Sequence, residues 1–225
     1  MIEGQVFFMS FRESNWLRCK ELHPNAIRIH GVKGIHKVHL ICEDLAETDY
    51  FWTVDGDNWL TEKLEITETP ETDVTLFKAI DPLWNNDTPL GSVKLWRKGR
   101  IINKDMSNGD FTLYATQTKS TKHKVLSISK YNEYPFDAWK TSFRHCVKML
   151  SCFFNHNPDF FMIEYYLGQW KNSCNSTAVN SNWAYQGYLD AVEYAKLYEN
   201  NLTELHKIND YDWLESYYKS KYESN

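Results

Sequence analysis

An α/β fold followed by a helical part is the architecture this 225-residue chain predicts. Three observations carry that reading. Strand-like and helix-like segments alternate over the first sixty residues. An apolar stripe at helical spacing sets in at Pro135. Hydrophobic residues make up 42% of the chain and charged residues 24%, enough apolar material for a sizeable globular core.

The first segment, residues 6–11, is a short apolar run suited to a buried strand. Ser14 is placed to cap a helix from about Asn15, which Pro24-Asn25 ends. Residues 26–30 form a second strand, followed by the turn-like Gly31-Val32-Lys33-Gly34. Ile35, Val38, His39, Cys42, Leu45 and Ala46 then recur at helical spacing, leaving Lys37, Glu43, Asp44 and Glu47 for solvent. Residues 50–54 are a third buried strand, broken by Asp55-Gly56-Asp57-Asn58. Strand, helix, strand, helix, strand implies a parallel sheet whose ligands gather at the carboxyl ends of its strands. Residues 74–80, 92–96 and 111–116 read as further strands. Phe136, Trp139, Phe143, Cys146, Val147 and Leu150 form one helical stripe with Pro135 in its first turn, and residues 183–205 and 211–222 continue the helical part. We expect one domain over 1–225, with residues 1–90, 91–150 and 151–225 as successive parts.

Charge divides along the same lines. The net charge of -5 excludes a uniformly basic nucleic-acid binder, but it is distributed as -8 over residues 1–90, +8 over 91–150 and -5 over 151–225. The N-terminus lacks the basic start and apolar stretch of a signal peptide, and no run approaches a membrane span. Five widely spaced cysteines without a Cys-x-x-Cys fit reduced, mostly buried thiols and a cytoplasmic setting.

The sharpest chemical signal is Val54-Asp55-Gly56-Asp57-Asn58. Two carboxylates at the end of a buried strand repel one another unless a cation lies between them, and Mg²⁺ or Mn²⁺ with a diphosphate suits such oxygen ligands. The same Asp-Gly pair is also a common turn. Dinucleotide and P-loop glycine patterns are absent, as is a nucleophile elbow. His30, His36 and His39 cluster in sequence, but His39 falls on an apolar face and reads as a hydrogen-bonded core histidine. Lys94-Leu95-Trp96-Arg97-Lys98-Gly99-Arg100 and then Lys104, Lys119, Lys122, His123, Lys124 and Lys130 carry most of the positive charge. Such a stretch neutralises phosphates, with Trp96 and Tyr114 available to stack on bases, or else balances acidic neighbours.

Residues 29–36 (Ile-His-Gly-Val-Lys-Gly-Ile-His) and 48–58, ending in Val54-Asp55-Gly56-Asp57-Asn58, resemble the N-terminal half of phage-encoded GT-A-like glycosyltransferases. Gly91-Ser92-Val93-Lys94-Leu95-Trp96 resembles that group's Gly-Gly-(Val/Ile)-Lys-Leu segment, residues 135–148 its Trp-Arg-(Ser/Ala)-Phe-Arg-Glu-Cys helix, and Ile208-Asn209-Asp210-Tyr211-Asp212-Trp213-Leu214 its closing motif. The group's helix has Arg and Glu where this chain has Lys140 and His145. The most similar type modifies 5-hydroxymethylcytosine in phage DNA with arabinose.

The resemblance implies a GT-A-like, Rossmann-type mixed sheet flanked by helices. It also implies a UDP-sugar donor and hydroxymethylcytosine DNA as acceptor, while the lack of a long apolar run implies no membrane partner. It makes residues 1–90 the nucleotide-sugar half and 91–150 the acceptor side. Asp55 and Asp57 would hold a divalent cation, Mn²⁺ or Mg²⁺, with His123 or His145 as a third ligand. Ser10, Phe11, Arg12, Lys33, Asp55 and Arg144 would contact the donor. Asp137 and then Asp110 are the candidate carboxylate bases for an inverting transfer, though Asp137 also suits a helix N-terminus. A retaining transfer, a non-DNA acceptor and a non-catalytic DNA-binding relative are the alternatives.

Overall fold

The protein is described by a computed structural model over residues 4–85, 87–102, 116–151 and 160–223. Its described residues divide into two compact units, one up to Lys130 and one from Tyr131 onward. The division therefore falls at Lys130/Tyr131, inside the stretch that the charge pattern had marked as one part.

The first unit is built on a mixed, seven-stranded sheet in the order β2-β1-β3-β6-β5-β7-β4. Gly4–Met9 (β1) lies between Ile27–Ile29 (β2) and Tyr50–Asp55 (β3) and runs parallel to both. Glu13–Leu22 (α1) and Ile35–Leu45 (α2) make the two crossovers. Because β2 and β3 flank β1 on opposite sides, right-handed crossovers send the two helices to opposite faces of the sheet. The strand alternation matches. Val6, Phe8, Trp52 and Val54 join Cys19 of α1 in one core, whereas Phe7, Met9 and Phe51 join Val38 and Cys42 of α2 in another.

The remaining strands are Asn58–Leu60 (β4), Val74–Ile80 (β5), Asp87–Arg97 (β6) and Lys119–Ser129 (β7). β6 is antiparallel to both β3 and β5, β7 is parallel to β5, and β4 closes the order antiparallel to β7. Strands β3 and β4 are joined by only Gly56 and Asp57, yet they stand third and seventh in the sheet. Flat, they would lie ~19 Å apart at normal strand spacing. Three Cα–Cα steps reach at most ~11 Å. The sheet therefore curls.

Residues 111–116, one of the expected strands, fall largely outside the described residues. The short β4 and the long β7 went unread because β4 is only three residues and β7 begins with an exposed polar run, Lys119 to Lys124. His39 is the core histidine expected. It is fully buried, donates from Nδ1 to the Ile35 carbonyl at 2.8 Å, and meets the Trp96 ring edge-on. Cys19, Cys42 and Cys146 are buried free thiols and Cys174 is exposed; burial pushes Cys19 and Cys42 up to about 12.

The second unit is helical among the described residues: Pro135–Leu150 (α3), Phe160–Asn172 (α4), Ser181–Leu197 (α5), Leu202–His206 (α6) and Tyr211–Tyr222 (α7). Pro135 opens α3 with its stripe turned inward, so that Trp139, Phe143, Cys146 and Val147 are fully buried. Gly187 lets α5 approach α3 closely: a Cβ there would lie 2.4 Å from the Trp139 carbonyl oxygen. The stretch expected as one helix over 183–205 is split, because Asn201 caps a new start by accepting from the Glu204 N–H at 3.2 Å. Helix α4 has little periodic burial, with Trp170 its single buried residue, which is why pattern reading passed over it.

Asp190 of α5 is buried at 3% exposure and accepts from Trp139 Nε1 (2.7 Å), Lys221 Nζ (2.7 Å) and Tyr222 Oη (2.6 Å), tying α3, α5 and α7 together. Replacement by Ala strands the buried Trp139 N–H and should lower the unfolding free energy by about 2–4 kcal/mol, read as a reduced urea midpoint at unchanged slope. A second expectation concerns His39. Burial, with the Lys94 charge next in size and His36 adding a little, holds His39 well below the usual value of 6.5 despite its bond to the Ile35 carbonyl. The folded chain keeps His39 neutral while the unfolded chain protonates. Its contribution is therefore full above about pH 6.5 and is lost on acidification, by up to about 1.4 kcal/mol per pH unit. The fall in stability between pH 6.5 and 5 should be shallower in His39→Leu than in the parent protein.

Candidate functional site

The carboxyl ends of β1 and β3 lie side by side, Met9 being in register with Asp55. The chain leaves β1 toward β2 on one side, and leaves β3 toward the rest of the sheet on the other. Ligands of open α/β sheets bind at such a reversal. The residues following the two strands, 10–12 and 55–57, occupy that point.

The Asp55–Asn58 turn is held from every side. A Cβ on Gly56 would lie 2.3 Å from the Met9 carbonyl oxygen and 2.5 Å from the Phe11 nitrogen, so only glycine lets the turn seat against the loop after β1. The Gly56 carbonyl accepts from Asn15 Nδ2 at 3.1 Å. The Asp57 carbonyl accepts from the Lys130 N–H at 2.7 Å, and Asp57 Oδ1 from Asn58 Nδ2 at 2.8 Å. Buried Asn58 in turn accepts from Ser127 Oγ at 2.9 Å.

The two carboxylates differ in their partners. Both oxygens of Asp55 accept from Lys94 Nζ at 3.0 Å. Lys94 belongs to β6, opposite Thr53, and its side chain is 4% exposed against 31% for Asp55. Burial pushes the Asp55 carboxyl above its ordinary value; the Lys94 charge pulls it back, and Asp57 pushes it up again. The repulsion that argued for a divalent cation is thus already relieved by a lysine. Among the described residues no three His, Cys, Asp or Glu side chains converge as a metal set. The donor set consequently does not fit a cation shared by Asp55 and Asp57.

The other expected site residues separate into two groups. Ser10, Phe11 and Arg12 stand at the strand ends with Asp55 and Asp57. Ser10 Oγ accepts from Arg28 Nε at 2.8 Å and lies 3.2 Å from His30 Nδ1, while Arg28 also pairs with Glu13. Phe11 is 54% exposed with the Arg12 guanidinium 5.6 Å from its ring centre. Lys33 is exposed in the turn after β2, between Gly31 and Gly34, both at positive φ.

Asp137, Arg144 and His145 belong to the second unit, and there the expectations need correction. Asp137 is buried in the first turn of α3 and paired with Lys140 at 2.7 Å, so it is a helix-end carboxylate with a fixed partner rather than a base offered to a substrate. Arg144 donates from Nε to the Ile208 carbonyl at 2.7 Å and from Nη1 to Tyr211 Oη at 3.0 Å, and lies over the Tyr211 ring, so its guanidinium holds protein rather than a diphosphate. His145 Nδ1 accepts from Trp170 Nε1 at 2.9 Å and is not available as a metal ligand. His123 is exposed on β7, and Asp110, Lys104 and Tyr114 lie outside the described residues.

Part of the basic stretch is answered by the acidic one. Lys94 pairs with Asp55, Lys122 with Glu68, Lys124 with Glu62 at 2.6 Å, and Arg100 with Asp73 at 3.7 Å. Trp96 is fully buried, donating to Thr53 Oγ1, and cannot stack on a base. Sequence reasoning placed Lys94 in the basic run but missed its partner. The available signal was a lysine inside the otherwise apolar Val93-Lys94-Leu95-Trp96 strand. Asn15, Arg28 and His30 were missed as neighbours of the strand ends.

No protein-family profile and no curated protein matches the chain. Among the described residues no helix is long and apolar enough to cross a membrane.

Seating of the turn makes Gly56 the most sensitive backbone position at the strand ends. Gly56→Ala should cost about 1–3 kcal/mol through overpacking against Met9 and Phe11, measured by thermal denaturation, with the greatest loss of amide protection in the loop after β1.

Proposed function

We propose that the chain is a glycosyltransferase that takes a sugar from a nucleoside-diphosphate donor, UDP-arabinose by resemblance, and places it on the hydroxymethyl group of 5-hydroxymethylcytosine in DNA. The observation that carries the reading is the anchored acidic turn Asp55-Gly56-Asp57, seated on the loop after β1 where the strand connections reverse. A donor at this edge meets complementary groups. Phe11 offers an exposed aromatic face to a pyrimidine ring. The first turn of α1 presents backbone N–H groups, and Arg28 and His30 add basic nitrogens beside Ser10. Asp57 supplies a carboxylate acceptor for hydroxyls of the ribose or of the transferred sugar.

The chemistry asked of these residues is to hold the anomeric carbon in line with the acceptor hydroxyl and to stabilise the charge that grows on the leaving diphosphate. The DNA acceptor rests on the resemblance and on the exposed basic strand β7. The pairs Lys122–Glu68 and Lys124–Glu62 are surface pairs, worth about 0–1 kcal/mol, so a phosphate can compete for either lysine. A second reading, transfer to an acceptor other than DNA, is favoured by the same pairs, since they leave the stretch less basic than its composition suggests.

Purified protein should move radiolabelled sugar from a UDP donor to hydroxymethylcytosine DNA, with mass spectrometry across several UDP-sugars identifying the donor. Asp57→Asn should retain the fold and lower turnover by about 100-fold or more. Unchanged turnover would remove Asp57 from the site. DNA binding should weaken steeply with salt, with a log–log slope of about -3 or steeper if four or more phosphates are neutralised. A flat dependence favours the non-DNA acceptor.

A further inference from the structure

The donor site as read above contains a feature that a cation-dependent site would not need. Lys94 sits on β6, which is bonded to β3 on one side and β5 on the other, between the buried Val93 and Leu95. Its ammonium is equidistant, at 3.0 Å, from the two oxygens of Asp55. That is the bidentate position, the place a metal ion takes when both oxygens of one carboxylate chelate it. A divalent ion there would face the ammonium at close range, and the lysine has no solvent to retreat into, because removing a buried charge from its partner is costly.

Resting on the donor-site reading, the geometry points to Lys94 as a built-in cation that fills the place of a metal beside Asp55, so that the diphosphate of the donor is bound without a divalent ion. The role is one of positioning and charge. The lysine neutralises Asp55, leaving Asp57 as the single uncompensated carboxylate of the turn. Its own side chain is 4% exposed, so its charge acts on the site through Asp55, whose side chain is 31% exposed. An anion approaching that edge meets one neutral pair and the Asp57 carboxylate instead of two negative groups. Arg12 stands on the adjoining loop and adds positive charge that does not have to be recruited from solution, while Arg28 on the neighbouring strand is shared with Glu13.

The test uses UDP as the probe and the full chain. Calorimetric titration in EDTA should give binding, and repeating it in excess Mn²⁺ should change the affinity by no more than about threefold. Binding in Mn²⁺ that is about tenfold or more tighter than in EDTA overturns the role of Lys94 while leaving the donor site standing. Absence of UDP binding in both conditions overturns the donor site and the lysine together. Lys94→Met should weaken UDP binding by about tenfold or more and Lys94→Arg by less. Because Lys94→Met strands Asp55 in a buried place, the pair Asp55→Asn with Lys94→Met provides a charge-balanced form whose folding is checked by circular dichroism. That double variant should bind UDP within about threefold of the parent, and a loss as large as that of Lys94→Met alone overturns neutralisation of Asp55 as the role of the lysine.

Discussion

The two-residue link between β3 and β4 is the constraint on which the first unit depends. Gly56 and Asp57 join strands that stand third and seventh in one sheet, and covalent reach obliges the sheet to curl until they meet. The curl brings β7 to the turn, where Lys130 bonds the Asp57 carbonyl and Ser127 bonds Asn58. It leaves the loop after β1 so close that no side chain fits on Gly56. A common turn dipeptide has thereby become the fixed junction of three strand ends and the start of α1, and its two carboxylates inherit that rigidity. Groups that must act on a bound substrate gain from being held in this way, since little reorganisation remains to be done when charge develops.

Electrostatics follow from the same pairing. In sequence the acidic and basic residues are segregated; in space β3 against β6, and β7 beside the segment before β5, bring them back together. The consequences are unequal. Lys122–Glu68 and Lys124–Glu62 are exposed and contribute little. Lys94–Asp55 is largely withdrawn from water, where breaking one partner leaves an uncompensated charge. One pair therefore decides the character of the strand end, while the others leave the surface basic residues free to exchange partners.

In the second unit, two segments singled out for their resemblance to a family turn out to hold each other. Arg144 of the α3 segment binds the Ile208 carbonyl and lies over Tyr211 of the closing segment, and Asp210 caps α7 by accepting from the Asp212 and Trp213 N–H groups. Together with the Asp190 cluster, this explains why charged and aromatic residues recur there without any of them needing a substrate. A motif shared for packing looks the same in sequence as one shared for chemistry, because both call for specific polar side chains at fixed spacing.

Much of the architecture was determined by the sequence alone, wherever periodicity is local. The alternation of Val6, Phe7, Phe8 and Met9, the apolar face of α2, the helix from Pro135 and the buried His39 depend on neighbours within a few residues, so a pattern suffices to find them. The acidic turn at the end of β3 was legible for the same reason. What that turn does was not. Its answering charge lies 39 positions along the chain, its anchor Asn15 is on another element, and β4 and β7 are defined only by whom they pair with. Arg144 and Asp137 show the converse: their chemistry suggested a ligand until packing supplied each with a protein partner. The sequence determined which groups are present and on which face they lie; only tertiary structure decided which charge each one answers, because that depends on contacts between strands and helices that no local pattern records.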